Sequence, residues 1–132
     1  MKLEHIGIAV KDLEKSNQLF SLLLNQTPYK TEAVESEGVR TSFFKSGESK
    51  IELLESTNPT SSIAKFLEKK GEGIHHLAFE VENIEEEIAR LQKEGFVLIH
   101  KEAKDGADNK RIAFLHPKST NGVLIELCQE KK

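Results

Sequence analysis

The sequence predicts an α+β fold built from two βαβββ modules. Three observations predict it. The chain repeats itself once, each repeat opens on a segment with period-2 apolar alternation, and a helical apolar spacing follows each of those segments. The repeat is seen by setting His5-Ile6-Gly7-Ile8-Ala9-Val10-Lys11-Asp12-Leu13-Glu14 over His76-Leu77-Ala78-Phe79-Glu80-Val81-Glu82-Asn83-Ile84-Glu85, an offset of 71 residues. A second echo, Ile51-Glu52-Leu53 against Ile125-Glu126-Leu127, has an offset of 74, so the second half has gained three residues net. The halves are about 1–60 and 72–130, and together they make one domain over 1–132.

Each element follows in order. Ile6, Ile8 and Val10 alternate with small or polar residues and predict the first strand. Asp12 is the N-cap of the helix behind it, and Leu19, Phe20 and Leu23 are its expected apolar stripe. Three strands are expected near Thr27–Glu32, Val39–Ser46 and Lys50–Glu55, with Ser46-Gly47-Glu48 as a turn. The link from Ser56 to Gly73 is expected to hold a short helix over Ile63–Lys70, ended by Gly71. In the second half Leu77, Phe79 and Val81 form the opening strand. Asn83 followed by Glu86 gives a capping-box helix start, Ile84, Ile88 and Leu91 fall at helical spacing, and Gly95 ends the helix. The last strands are expected near Val97–Lys101, Arg111–His116 and Gly122–Gln129, separated by turns at Asp105-Gly106 and Asn121-Gly122.

Composition narrows the function classes. With 19 Lys+Arg against 22 Asp+Glu the net charge is −3, which argues against a nucleic-acid partner. No apolar run approaches the roughly 20 residues of a membrane span, and the opening Met-Lys-Leu-Glu-His lacks the apolar stretch expected of a signal peptide. Cys128 is the only cysteine, so a disulfide scaffold is excluded and the cytoplasm is the expected compartment. Trp is absent and aromatics are 6%, so a site of stacked rings is not expected.

Strand parity points to a site. Ile6, Ile8, Val10, Ile51 and Leu53 share the helix-facing side of the first half, which leaves His5 and Glu52 on the other face. The same count leaves His76 and Glu126 opposite the helix in the second half. Two imidazoles and two carboxylates at repeat-equivalent places suit a divalent first-row metal. The bland alternative is a solvated sheet face carrying ordinary polar residues. Register selects His76 over His75, and His116, before Pro117, is expected in a turn.

These residues carry a resemblance. The duplicated βαβββ pattern resembles the vicinal-oxygen-chelate (glyoxalase) superfamily. Within it the chain is similar to the methylmalonyl-CoA epimerases, through Lys50-Ile51-Glu52-Leu53-Leu54-Glu55, Gly73-Ile74-His75-His76-Leu77-Ala78, Ile112-Ala113-Phe114-Leu115-His116-Pro117-Lys118 and Asn121-Gly122-Val123-Leu124-Ile125-Glu126-Leu127. The resemblance implies a divalent metal (cobalt, zinc, nickel, manganese or iron) on His5, Glu52, His76 and Glu126. It implies an acyl-CoA substrate epimerised at the α-carbon through a metal-stabilised enolate, with Glu126 and Glu52 as the proton-transfer candidates. In some members a glutamate on the strand after the Gly-Val turn is a proposed base, and Gly38-Val39-Arg40-Thr41 puts Thr41 there. Lys110, Arg111 and Lys118 are candidates for the CoA phosphates, and a homodimer is the expected assembly. The rival readings are a glyoxalase I (lactoylglutathione lyase), another metalloenzyme of the superfamily such as an extradiol dioxygenase, and a metal-free small-molecule binding protein of the same fold. An inactive regulatory subunit that kept the cage is a further alternative.

Overall fold

The structure is a computed structural model that describes residues 1–131. It resolves into two compact units, residues 5–75 and residues 1–4 with 76 onward, here the N-terminal and C-terminal units. Each has the expected βαβββ order. The first holds β1 (Lys2–Ala9) from His5 onward, α1 (Leu13–Leu24), β2 (Lys30–Val34), β3 (Val39–Ser46) and β4 (Ser49–Ser56). The linking helix α2 (Ser62–Lys70) follows. The second holds β5 (Gly73–Glu80) from His76 onward, α3 (Ile84–Lys93), β6 (Lys104–Asp105), β7 (Lys110–Leu115) and β8 (Ile125–Glu130).

In the N-terminal unit the strands run in the order β2-β3-β4-β1, antiparallel except for the parallel β1–β4 pair. The C-terminal unit repeats this as β6-β7-β8-β5, with β5 parallel to β8. The register is repeated too. Gly7 pairs with Glu52, and its repeat mate Ala78 pairs with Glu126. Phe43 pairs with Glu52 across β3–β4, and Phe114 pairs with Glu126 across β7–β8. The three extra residues of the second half therefore lie in the β7–β8 connection, which holds a 3-10 turn, Pro117–Ser119, where β3 and β4 are joined by a tight turn at Gly47.

Both repeat helices start by the same chemistry. Asp12 Oδ1 accepts from Lys15 N, and Asn83 Oδ1 accepts from Glu86 N, each at 3.1 Å. A second orphan amide is met from the fourth strand of each unit. Leu13 N donates to Glu55 Oε2 at 2.8 Å, and Ile84 N donates to Gln129 Oε1 at 2.7 Å. The helices then pack on the expected sheet face. Val10, Leu13, Phe44 and Leu53 form one core with Phe20 and Leu24, and Val81, Ile84, Ile88, Leu91, Ala113, Leu115 and Leu127 form the other.

Four expectations are corrected. The stripe of α1 is Leu13, Phe20 and Leu24, while Leu19 and Leu23 are 63% and 70% exposed. Its leucines are too many for spacing alone to choose a face. The second strand starts at Lys30 rather than Thr27, because Pro28 has no amide to give a ladder. Val97–Lys101 is not a strand. Leu98 bridges Leu115 and Ile99 N reaches Phe114 O, but Phe96, Leu98 and Ala103 turn into the core, and pairing resumes only at Lys104. The last strand starts at Ile125, since Asn121 and Gly122, at φ 57 and 83, complete a turn closed by Val123 N to Thr120 O. The linker helix lies where expected and ends at Gly71. Its Ile63, with Phe66 and Leu67 beside it, packs on Ala9, Val39 and Leu54. The non-helix face of the N-terminal sheet is therefore partly covered, not open to solvent.

Candidate metal centre

The ligand-type side chains predicted from parity are buried. His5, Glu52, His76 and Glu126 expose 5%, 4%, 5% and 6% of their surface. That disposes of the solvated-face alternative, since a group that merely sat on an open sheet would be exposed.

Within the N-terminal unit His5 Nδ1 lies 3.0 Å from Glu52 Oε2. Within the C-terminal unit His76 Nε2 lies 3.2 Å from Glu126 Oε1. The ladder accounts for both pairs. The glutamate faces residue 7 or residue 78 of the neighbouring parallel strand, and the histidine precedes that residue by two, on the same face. A buried carboxylate is costly to keep unless it is paired, and a buried His–Glu pair adds little net stability. Two such pairs at matched places are therefore better explained by what they bind. Each of the four side chains belongs to a buried histidine–carboxylate group of a size that suits a metal ion. A set of imidazole nitrogen and carboxylate oxygen donors fits a divalent first-row cation.

The surroundings sharpen each pair. Phe43, fully buried, flanks Glu52 in the ladder, and Phe114 meets the His76 ring edge-on at 5.9 Å between centroids. Ala78, Ile112 and Cys128 close an apolar patch two residues further along the C-terminal strands. Burial pushes the Cys128 thiol far up from its ordinary value, and the Glu126 and Glu4 carboxylates add to the rise. Cys128 therefore stays a neutral thiol and is no nucleophile.

Thr41, at the position of the proposed base in some family members, is fully buried. Among the described residues its Oγ1 has no hydrogen-bond partner. It lies on the Glu52 face, one ladder row away, opposite Leu54. A hydroxyl there cannot act as a carboxylate base at neutral pH.

The remaining candidates separate cleanly. His75 turns its ring to Phe66 of α2, edge-on at 5.0 Å. His116 Nδ1 accepts from Lys118 N at 3.1 Å and caps the 3-10 turn, as the turn reading expects. Arg111 is paired to Glu85 of α3 at 2.5 Å, and Lys118 is exposed. Lys110 is buried on the Glu126 side of β7. Only the register of β7 against β8 separates Lys110 from Arg111, and the sequence does not supply it.

The family model for the Glyoxalase/Bleomycin resistance protein/Dioxygenase superfamily matches residues 4–114, a span that takes in both histidines and Glu52. The chain belongs to this superfamily. Among curated relatives, the ethylmalonyl-CoA/methylmalonyl-CoA epimerase of Cereibacter sphaeroides is 41% identical over 97% of each chain. Two solved structures are also similar. A hypothetical protein of Bacillus halodurans C-125 is 44% identical, with a TM-score of 0.96, over 99% of this chain and 95% of that one. The methylmalonyl-CoA epimerase of Mycobacterium tuberculosis is 34% identical, with a TM-score of 0.94, over 99% and 89%. The α+β superfamily fold expected from the repeat is the fold observed.

Proposed function

We propose that this superfamily member is a metal-dependent methylmalonyl-CoA epimerase, folded as one domain of two repeats at about 1–60 and 72–130. The observation that carries the reading is the buried His–Glu pair present in each unit of a chain 41% identical, end to end, to an epimerase. In this reading His5, Glu52, His76 and Glu126 hold one divalent cation. Such a cation acts as a Lewis acid where negative charge develops on the substrate's thioester oxygen.

The chain's own residues move the proton. The Glu126 carboxylate takes the hydrogen from the α-carbon on one face, and Glu52 would return one on the opposite face from its carboxyl oxygen not engaged by the cation, so one proton leaves and one arrives. The reverse reaction exchanges the two roles. Thr41, lacking a carboxylate, leaves Glu52 as the second acid–base group on its unit's face. The acyl-CoA substrate is favoured over a glyoxalase hemithioacetal by the named activities of the similar proteins. The same reading makes the protein a twofold dimer and keeps it in the cytoplasm, where a lone thiol stays reduced. Among the described residues no helix is long and apolar enough to cross a membrane.

The test is to incubate metal-loaded protein with one epimer of methylmalonyl-CoA in deuterated buffer, with and without chelator. Label at the α-carbon accompanied by inversion, and lost on chelation, is the expected result. Metal binding with no label incorporation overturns the reading and brings glyoxalase substrates forward.

A further inference from the structure

Lys110 is a cation in a place where the fold does not need one. It opens β7, and its cross-strand partner is Glu130, two ladder steps beyond the Glu126 row on the same face. The residue is 4% exposed. Among the described residues its ammonium has one ion partner, Glu130 Oε1 at 3.9 Å, and the Glu130 side chain is 73% exposed. A contact that long to a solvated carboxylate does not offset the desolvation of a buried ammonium, which has three N–H groups to satisfy.

The repeat supplies an internal control. The mate of Lys110 is Val39, and the mate of Glu130 is Ser56. Val39 and Ser56 pair in the ladder as Lys110 and Glu130 do. In the N-terminal unit this position is apolar and packs under α2. The architecture is therefore satisfied by valine, and the lysine has to be explained by something else. The other two cations considered for substrate contacts do not compete. Arg111 points to α3 and is already paired, and Lys118 stands in solvent.

We propose that Lys110 is an anion-binding residue of the site, its ammonium taking an oxyanion of the bound acyl-CoA. The inference rests on the epimerase reading for its ligand. Carboxylate and phosphate oxygens share the chemistry the ammonium recognises, and the acyl-CoA carries both.

The experiment compares wild type, Lys110→Met and Lys110→Arg on methylmalonyl-CoA and on the methylmalonyl thioester of pantetheine, which has no phosphate. Loss of one charge-assisted contact should raise KM by about 10- to 100-fold in Lys110→Met with kcat nearly unchanged. Lys110→Arg should restore most of the affinity, which a purely structural lysine does not predict. A rise confined to the CoA ester assigns the phosphate, and a rise with both esters assigns the carboxylate. Unchanged KM for both, in a variant that melts like wild type, overturns the proposal. Calorimetric titration of wild type and Lys110→Gln with free CoA and with methylmalonate keeps the question separate from turnover. If wild type does not epimerise, the functional reading falls. Lys110 is then still judged by whether the Gln variant loses anion binding, and equal binding by both proteins overturns its role.

Discussion

The two units place a histidine and a glutamate by the same ladder geometry, yet they surround them differently. In the N-terminal unit the carboxylate is met by Nδ1 of His5, and in the C-terminal unit by Nε2 of His76. Beyond Glu52 the sheet face is apolar and lies under α2. Beyond Glu126 it passes through Ala78, Ile112 and Cys128 to a buried lysine. Position is shared down to individual cross-strand partners, while chemistry has diverged one or two rows away. The comparison teaches that the duplicated backbone fixes where a side chain is delivered, and each copy then decides what environment it meets.

The largest test of this asymmetry is catalytic. Glu126→Gln should lower kcat for epimerisation by about 10²- to 10⁴-fold, the usual weight of one acid–base group. Glu52→Gln, which keeps an oxygen donor, should lose proton transfer on one face only. Solvent label should then still enter one epimer of methylmalonyl-CoA while inversion stops. Equal wash-in from both epimers in Glu52→Gln would remove Glu52 from proton transfer.

Metal content comes next. His5→Ala and His76→Ala should each weaken the metal by roughly 10- to 100-fold or more, read as bound metal per chain after dialysis at fixed free metal. Loss in one variant only would mean that one unit's pair suffices.

Stability should show the symmetry rather than the difference. Leu53 and Leu127 are repeat mates and almost wholly buried. Truncating either to Ala should cost about 2–5 kcal/mol in urea unfolding. A gap between them much larger than that range would mean that the two cores relax unequally. The smallest effect is at the caps: Asp12→Ala and Asn83→Ala, with hydrogen bonds of the same 3.1 Å length, should each cost about 1 kcal/mol.

Much of this was legible in the chain itself. Period-2 alternation around Ile6 and Leu77, repeated at a constant offset, determines which face His5 and His76 take, and Ile51-Glu52-Leu53 with Ile125-Glu126-Leu127 does the same for the carboxylates. These are local facts, and local facts survive folding. What failed depended on partners far away in sequence. The face of α1 is chosen by Phe44 and Leu53, which helical spacing does not see. The departure of residues 100–103 from the β7 ladder is driven by Phe96, Leu98 and Ala103 reaching the α3 core. The burial of His5 and Glu52 follows from packing that a strand pattern leaves open, and Lys110 differs from Arg111 only once β7 has its register against β8.

The three residues gained between Phe114 and Glu126 change the spacing along the chain without changing which residue faces which across β7 and β8. A ligand in this architecture therefore has a two-coordinate address, a strand and a rung, and its sequence number is incidental. Loops between the rungs are free to lengthen, shorten or be exchanged while the address holds. The sites of distant superfamily members are best aligned rung by rung, with the loop lengths left to vary.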